Sequence, residues 1–168
     1  MSKIFFILIY LFFIFYIPYY TIINFSNKKI NKKHKIIDLN RFAPNNILMY
    51  NYIIKYCNEY NIPKEYVFRM YKLETGYNGL YDWKYNPYQT SYAGAIGPSQ
   101  LMQPTAIFMN DGKYLSKDSI KINLELNVKL GIKYLRYLKN IYKEWDIVFG
   151  FYNTGRPIVN EYSKKIVY

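Results

Sequence analysis

Residues 123–142 read NLELNVKLGIKYLRYLKNIY and carry the most regular apolar pattern in this chain of 168 residues. Apolar or small residues recur about every 3.6 positions, the spacing that places them on one face of a helix. That face comprises Leu124, Val128, Gly131, Ile132, Leu135, Leu138 and Tyr142. The length and regularity of the pattern predict a buried central helix around which the other elements pack.

Shorter helical patterns flank the central one. Asn45 or Asn46 can cap a helix that runs to about Tyr60. Its predicted inward residues are Ile47, Tyr50, Ile54 and Cys57. Three more helices are expected, at residues 63–74, 100–110 and 145–153. This succession of helical periods predicts a helical domain.

Residues 76–97 show no sustained period and contain four glycines. A loop of this length inside a compact domain usually has a function. A weak strand is possible within residues 88–94, and Asp118 or Ser119 is expected to cap the segment that precedes the central helix. The predicted fold class is therefore all-α, or α with a minor β element, built around one groove.

An uncharged apolar segment, residues 4–25, lies near the start of the chain. At about 1.5 Å per residue, a helix of this length crosses a hydrocarbon layer of roughly 30 Å. A cleaved signal peptide is the alternative, but no small-x-small cleavage site precedes Ala43. We therefore expect an uncleaved transmembrane helix within 1–25, a basic polar linker at 26–43 and a domain at 44–168.

The composition narrows the chemistry that is available. The chain has one histidine, His34 in the basic linker, and one cysteine, Cys57, which is expected to be a small buried apolar residue. An internal disulfide, a cysteine- or histidine-based zinc site and Ser-His or Cys-His catalysis are thereby excluded. The net charge of +12 comes without a groove-reading motif, so no nucleic-acid partner is expected. Neither a cofactor nor a metal is expected.

One carboxylate, Glu74 in the stretch YVFRMYKLETGYN (residues 66–78), falls on an apolar helical face. That face also contains Val67, Met70 and Tyr71, and the long loop begins directly after it. Partial burial raises the pKa of a carboxyl group, which then keeps its proton near neutral pH and can donate it to a leaving oxygen. Cleavage of a glycosidic bond requires such a group. The alternative is a helix-end glutamate whose carboxylate lies in water.

Four segments, KLETGYN, AGAIGPSQLMQPTA, NVKLGIKYL and FYNTG, occur in this order between residues 72 and 155. Together they resemble the soluble lytic transglycosylase (SLT) domain family, which is lysozyme-like and related to goose-type lysozymes. The resemblance extends over roughly residues 47–160. Two departures affect the glycan-binding wall: Pro98-Ser99 stands where the family has Leu-Met, and Gln103-Pro104 displaces the family's proline by one position.

The resemblance implies that Glu74 is the catalytic residue. In the family, one glutamate first protonates the glycosidic oxygen, and the N-acetyl oxygen of the substrate stabilises the electron-poor sugar carbon. The carboxylate then takes the proton of the 6-hydroxyl, which closes a 1,6-anhydro ring on the muramyl sugar. Glycan strands of peptidoglycan are the implied substrate and partner.

The resemblance also implies a set of substrate-binding residues: Thr75, Gly97, Gln100, Met102, Tyr152 and Asn153. Gln100 offers both a donor and an acceptor to sugar groups, and Met102 adapts to the apolar face of a ring. The Tyr152 hydroxyl can hydrogen-bond either the Glu74 carboxyl or the N-acetyl group. Asn153 can act similarly or can cap its helix.

Two other functions remain open from the sequence. A goose-lysozyme-like hydrolase would position water with a loop carboxylate such as Asp82, whereas a membrane-anchored glycan-binding or assembly protein would lack catalysis. The domain is expected to be a monomer, with a cell-envelope assembly complex as a possible partner. We expect it on the extracytoplasmic side of the membrane, although the lysines at 28–35 favour the cytoplasmic side or contact with lipid headgroups.

Overall fold

The computed structural model describes residues 43–168. Within this range lie seven helices: α1 (Asn45–Tyr60), α2 (Lys64–Thr75), α3 (Gln103–Met109), α4 (Lys117–Ile122), α5 (Leu124–Tyr142), α6 (Trp145–Thr154) and α7 (Glu161–Val167). The predicted membrane segment at 4–25 and almost all of the predicted linker at 26–43 lie outside the described residues. Of the seven helices described, none has the length and apolar character needed to cross a membrane.

Helix α5 is the centre of the domain, as its pattern predicts. Its first turn is capped by Asn123, whose side chain accepts a hydrogen bond from the Leu126 N–H at 3.0 Å. It packs against α1, α3, α4 and α6. The predicted inward residues are buried except Tyr142, which is half-buried, and Asn127 is buried among them.

Helix α2 also has the predicted inward face. Val67, Met70 and Tyr71 are fully buried, and the helix ends at Gly76, which adopts the left-handed conformation with φ of 77°. A glycine in this position stops a helix at little steric cost. The end of α2, where Glu74 lies, is therefore fixed by sequence.

The predicted inward face of α1 is wrong for three of its four residues. Cys57 is buried as predicted, but Met49, Ile53 and Tyr56 replace Ile47, Tyr50 and Ile54 as the buried residues. Helix α1 itself has apolar and aromatic side chains on most of its faces. The apolar period alone therefore does not predict which face is buried. The buried face makes polar contacts as well, because the Tyr56 hydroxyl donates to Glu125 at 2.7 Å and the Asn46 amide donates to the Leu80 carbonyl.

Helix α3 begins three residues later than predicted. Gln100 has a positive φ of 45°, which is incompatible with a helix, and residues 90, 96 and 101 pair as isolated antiparallel bridges. Pro104 lies in the first turn of α3, where a missing N–H costs nothing. The bridges are the minor β element that the sequence allows.

Two further differences concern helix starts. Ser116, rather than Asp118 or Ser119, caps α4 by accepting the Ser119 N–H at 3.0 Å. Helix α7 was not predicted; Asn160 caps it in a reciprocal box with Ser163. This last helix packs against α2 and α6, and so reaches the end of α2 that carries Glu74.

Buried side chains form two apolar clusters. The larger one joins α1, α2, α5, α6 and α7, and the smaller one joins Ile96, Leu101, Ala106, Met109, Ile120 and Leu130. Tyr134 and Tyr152 are partly buried and pack against both clusters. The two tyrosines therefore mark the junction between the clusters, where a polar pocket opens.

Candidate active site

Glu74 lies in the last turn of α2, half-buried. The hydroxyl of Tyr162, on α7, donates a hydrogen bond to its Oε1 atom. Burial raises the pKa of Glu74, and the hydrogen bond from Tyr162 lowers it; burial is the larger effect, so the pKa stays above its ordinary value. The carboxyl group is thus biased towards its protonated form and already has one fixed hydrogen-bond partner.

Tyr162 contacts this carboxyl group, and Tyr71 and Tyr152 lie near enough for its charge to affect their pKa values. Burial raises the pKa of Tyr152 and Tyr162 well above the ordinary value, and the charge of Glu74 raises both further. The hydroxyl of Tyr152, however, donates to the Ser99 carbonyl at 2.6 Å. The suggested hydrogen bond from Tyr152 to Glu74 is therefore wrong, and Tyr162 holds that place.

Asn127 of α5 attaches residues 96–101 to the core. Its Oδ1 atom accepts the Ser99 N–H at 2.9 Å, and its Nδ2 atom donates to the carbonyls of Ile96 at 2.9 Å and Ile120 at 3.3 Å. A Cβ atom on Gly97 would come within 2.4 Å of Asn127 Nδ2, and Gly97 has a φ of +68°. Glycine is therefore required at 97, because both the space and the backbone conformation exclude a side chain.

Ser99 is fully buried and its side chain has two partners. Its Oγ atom shares a hydrogen bond with the Tyr71 hydroxyl at 3.0 Å and donates to the Asn127 carbonyl at 3.0 Å. Gly131 lies against it, since a Cβ atom there would come within 2.3 Å of Ser99 Oγ. The departure from the family at position 99 thus places a hydrogen-bonded serine in a space too small for a longer side chain.

A pocket of about 280 Å³ opens at the junction of the two apolar clusters. Its walls come from residues 100–102, Thr105, Tyr134 and residues 151–155. The pocket is therefore built by the start of α3, the middle of α5 and the end of α6. It combines amide, hydroxyl and aromatic groups, a mixture of polar and apolar contacts that is typical of small-ligand sites.

The pocket brings together four of the predicted substrate-binding residues: Gln100, Met102, Tyr152 and Asn153. The Gln100 Nε2 atom donates to the Gly97 carbonyl at 2.8 Å, and the Asn153 Oδ1 atom accepts from Asn160 at 3.1 Å. Met102 is 45% exposed. Glu74 does not line this pocket but lies close enough to Tyr152 to affect its pKa.

Thr75 and Gly97, also predicted to bind substrate, have structural contacts instead. The hydroxyls of Thr75 and Tyr85 share a hydrogen bond at 2.9 Å, and the Thr75 hydroxyl also donates to the Tyr71 carbonyl at 3.2 Å. Gly97 is buried, and its N–H donates to the Gln89 carbonyl at 2.8 Å. Thr75 therefore holds the long loop against α2, whereas Gly97 closes the loop on itself, and the roles of both residues in substrate binding remain predictions.

Three more observations complete the site. Asp82, the alternative acid, accepts the Asn78 N–H at 3.0 Å and so closes a turn in the long loop. The sequence did not single out Tyr162 as a site residue, because it is one of 22 tyrosines. The capping residues Asn160 and Ser163 were the available signal that Tyr162 lies at the start of a helix. Across residues 43–168, no three His, Cys, Asp or Glu side chains converge into a metal site.

Comparison with known proteins agrees with this architecture. The model of the transglycosylase SLT domain family matches residues 51–166. A solved structure of the lytic transglycosylase Slt from Pseudomonas aeruginosa, an inactive glutamate-to-glutamine mutant, is similar with a TM-score of 0.51 at 19% sequence identity. The similarity covers 62% of this chain but 16% of that one, so this chain corresponds to a small part of the Pseudomonas protein.

No curated protein matches the chain. The family match nevertheless extends over well more than half of its length and includes all four segments on which the resemblance rests. The family prediction made from those segments is confirmed: the chain belongs to the transglycosylase SLT domain family.

Proposed function

We propose that the domain is a peptidoglycan lytic transglycosylase that cleaves the β-1,4 bond between N-acetylmuramic acid and N-acetylglucosamine and leaves 1,6-anhydro ends. One observation carries the proposal: the half-buried Glu74 carboxyl, whose pKa burial raises, lies close enough to affect Tyr152, which lines an open pocket of amide, hydroxyl and aromatic groups. The family match and the inactive glutamate-to-glutamine mutant of the Pseudomonas relative support it.

In the first step, protonated Glu74 donates its proton to the glycosidic oxygen as the bond breaks. Burial raises the pKa of the group, which favours the protonated form that this step requires. The N-acetyl oxygen of the substrate stabilises the positive charge that develops at the sugar carbon. No second protein carboxylate is needed, in agreement with the use of Asp82 in a local turn.

In the second step, the Glu74 carboxylate accepts the proton of the 6-hydroxyl, whose oxygen then bonds to the sugar carbon. Between the steps the group is charged in a partly desolvated place, which is costly. The hydrogen bond from Tyr162 offsets part of this cost, because it favours the charged form. Tyr162 thus lets one carboxyl group act first as acid and then as base. Glu74 regains from the 6-hydroxyl the proton that it gave to the glycosidic oxygen.

The pocket supplies binding. Gln100 uses one side-chain N–H for the Gly97 carbonyl, so its carbonyl oxygen and second N–H serve the sugar. Met102 covers an apolar ring face, and Asn153 contacts a hydroxyl or N-acetyl group at the pocket edge. The Tyr152 hydroxyl fixes the backbone at Ser99, so this residue contributes its ring to the pocket wall.

The cellular context is part of the proposal. We propose that residues 4–25 anchor the chain in a membrane, that residues 26–43 form a basic linker and that the domain at 44–168 faces the wall. The apolar run without a small-residue cleavage site motivates the anchor. The domain acts as a monomer on glycan strands, alone or within a cell-envelope assembly.

The test is Glu74→Gln in the purified full chain, with Asp82→Asn as the matched control. The amide cannot donate the acidic proton or take one back, so turnover of purified peptidoglycan should fall by about two to four orders of magnitude. Asp82→Asn should keep most of the activity. Mass spectrometry of the products identifies the chemistry, since anhydro ends are lighter than hydrolysed ends by one water.

Other outcomes lead to the other functions. Hydrolysed ends that disappear in Asp82→Asn would identify a goose-type muramidase. Glycan binding by the wild-type chain without any cleavage would identify a non-catalytic binding protein. Anhydro products formed by Glu74→Gln at the wild-type rate would refute the role of Glu74.

A further inference from the structure

A ladder of four aromatic rings leads from the pocket to the protein surface. Tyr152 and Tyr134 line the pocket, with ring centroids 5.5 Å apart. Tyr134 stacks on Tyr137 at 6.3 Å, and Tyr137 meets Phe108 edge-to-face at 5.2 Å. The ladder is therefore a continuous series of contacts from the saccharide pocket outward.

Helix geometry explains why the ladder continues the pocket. Thr105 and Phe108 are three residues apart on α3, and Tyr134 and Tyr137 are three residues apart on α5, so each pair shares a helix face. The first member of each pair lines the pocket, and the second lies one turn farther along the same face. The outer rings thus extend the two pocket walls.

The outer part of the ladder is open to solvent. Phe108 is 55% exposed and Tyr137 is 40% exposed, and Met102 at the pocket edge is 45% exposed. Exposed apolar surface that continues from a binding site is a common mark of ligand contact. Buried aromatic residues such as Phe149 are accounted for by the core, whereas the openness of Phe108 and Tyr137 is not.

We propose that Phe108 and Tyr137 form an additional sugar-binding surface that holds glycan units beyond those in the pocket. The proposal rests on the proposed function, because it assigns a strand of sugars to the same groove. The sugar rings of a glycan strand present apolar faces, which pack on aromatic side chains, and the strand extends in one direction, as the ladder does. The enzyme would therefore prefer long strands to short fragments.

The test measures how affinity depends on glycan length. The full chain carrying Glu74→Gln, which binds without turnover, is titrated with a tetrasaccharide and an octasaccharide prepared from peptidoglycan. We expect tighter binding of the octasaccharide. Adding Phe108→Ala or Tyr137→Ala should weaken octasaccharide binding about tenfold, the factor that follows from uncovering about 50 Å² of apolar surface. Tetrasaccharide binding should change little.

Two controls separate ring stacking from a general effect. Phe108→Tyr and Tyr137→Phe keep a ring at each position and should restore the preference for the octasaccharide. Tyr114→Ala removes a ring that is 77% exposed and outside the ladder, and should have no effect. If the ring-preserving variants fail to restore the preference, or if Tyr114→Ala abolishes it, the ladder is not the reason.

Four results would overturn the proposal. The alanine variants could keep the full octasaccharide preference, or they could lose tetrasaccharide binding to the same extent. The alanine substitutions could also turn a dimer into monomers, as measured by sedimentation, without changing the length preference. Phe108 and Tyr137 would then belong to an interface between two copies. Cleavage to anhydro products without any length preference would overturn only this proposal and leave the proposed function standing.

Discussion

Replacing Asn127 with alanine should destabilise the domain more than any surface change, because three backbone groups lose their partner at once. The amide is fully buried and bonds the Ser99 N–H and the Ile96 carbonyl at 2.9 Å and the Ile120 carbonyl at 3.3 Å. A buried polar group left unpaired costs about 1–3 kcal/mol. Counting the two shorter bonds fully and the longer one in part, we expect a loss of about 3–5 kcal/mol.

A loss of this size is a large share of the about 5–15 kcal/mol that stabilises an ordinary domain. The midpoint of thermal unfolding should fall by about 10–20 °C for a domain of this length. Urea unfolding of the purified full chain, followed by far-ultraviolet circular dichroism, measures the free energy directly, provided that the slope against urea stays unchanged. The Michaelis constant for peptidoglycan should rise as well, since Asn127 holds the segment that carries Gln100.

The matched control is Asn140→Ala, an exposed asparagine on the same helix, which should change stability by less than about 0.5 kcal/mol. Asn127→Asp gives a second check. Its carboxylate still accepts from Ser99 but donates to Ile96 only when protonated, so its deficit should shrink at acid pH. If Asn127→Ala unfolds within about 1 kcal/mol of the wild type, the stabilising role assigned to these hydrogen bonds is wrong.

Two further predictions concern Glu74 and the membrane. Tyr162→Phe removes the hydrogen bond that lowers the pKa of Glu74, so the acid should keep its proton to higher pH. The alkaline limb of the pH–rate profile should therefore move to higher pH, and the maximal rate should fall. An unchanged limb, or one that moves downwards, would contradict this role. If residues 4–25 anchor the chain with its domain on the wall side, protease added to intact spheroplasts should digest the domain; full protection would show that the lysines at 28–35 set the opposite orientation.

The buried face of a helix was predictable from the sequence where apolar residues form one clear stripe. It was not predictable where apolar residues occupy most faces of the helix. The central helix and α2 follow their apolar stripes, because polar residues mark their outer faces. In α1 the stripe is ambiguous, and the buried face includes residues that hydrogen-bond Leu80 and Glu125, which are distant in sequence. Local patterns do not contain such long-range contacts.

The candidate site shows the same division. Glu74 was found because a carboxylate on an apolar face is a local signal, and the pocket residues were found through the family resemblance. Tyr162 was not found, since its contact with Glu74 joins residues 88 positions apart. Gly97 illustrates the reverse: its backbone conformation and its contact with Asn127 explain the glycine without any substrate.

The packing around Ser99 limits how this part of the protein can change over time. Its hydroxyl bonds Tyr71, and its side chain fills the space that a glycine at 131 leaves open. A methionine at position 99, as the family usually has, would displace the Tyr71 hydroxyl unless that tyrosine were shortened in the same step. Substitutions at 71 and 99 are therefore acceptable mainly as a pair, and grafting residues 96–101 from a relative would succeed only if position 71 were exchanged as well.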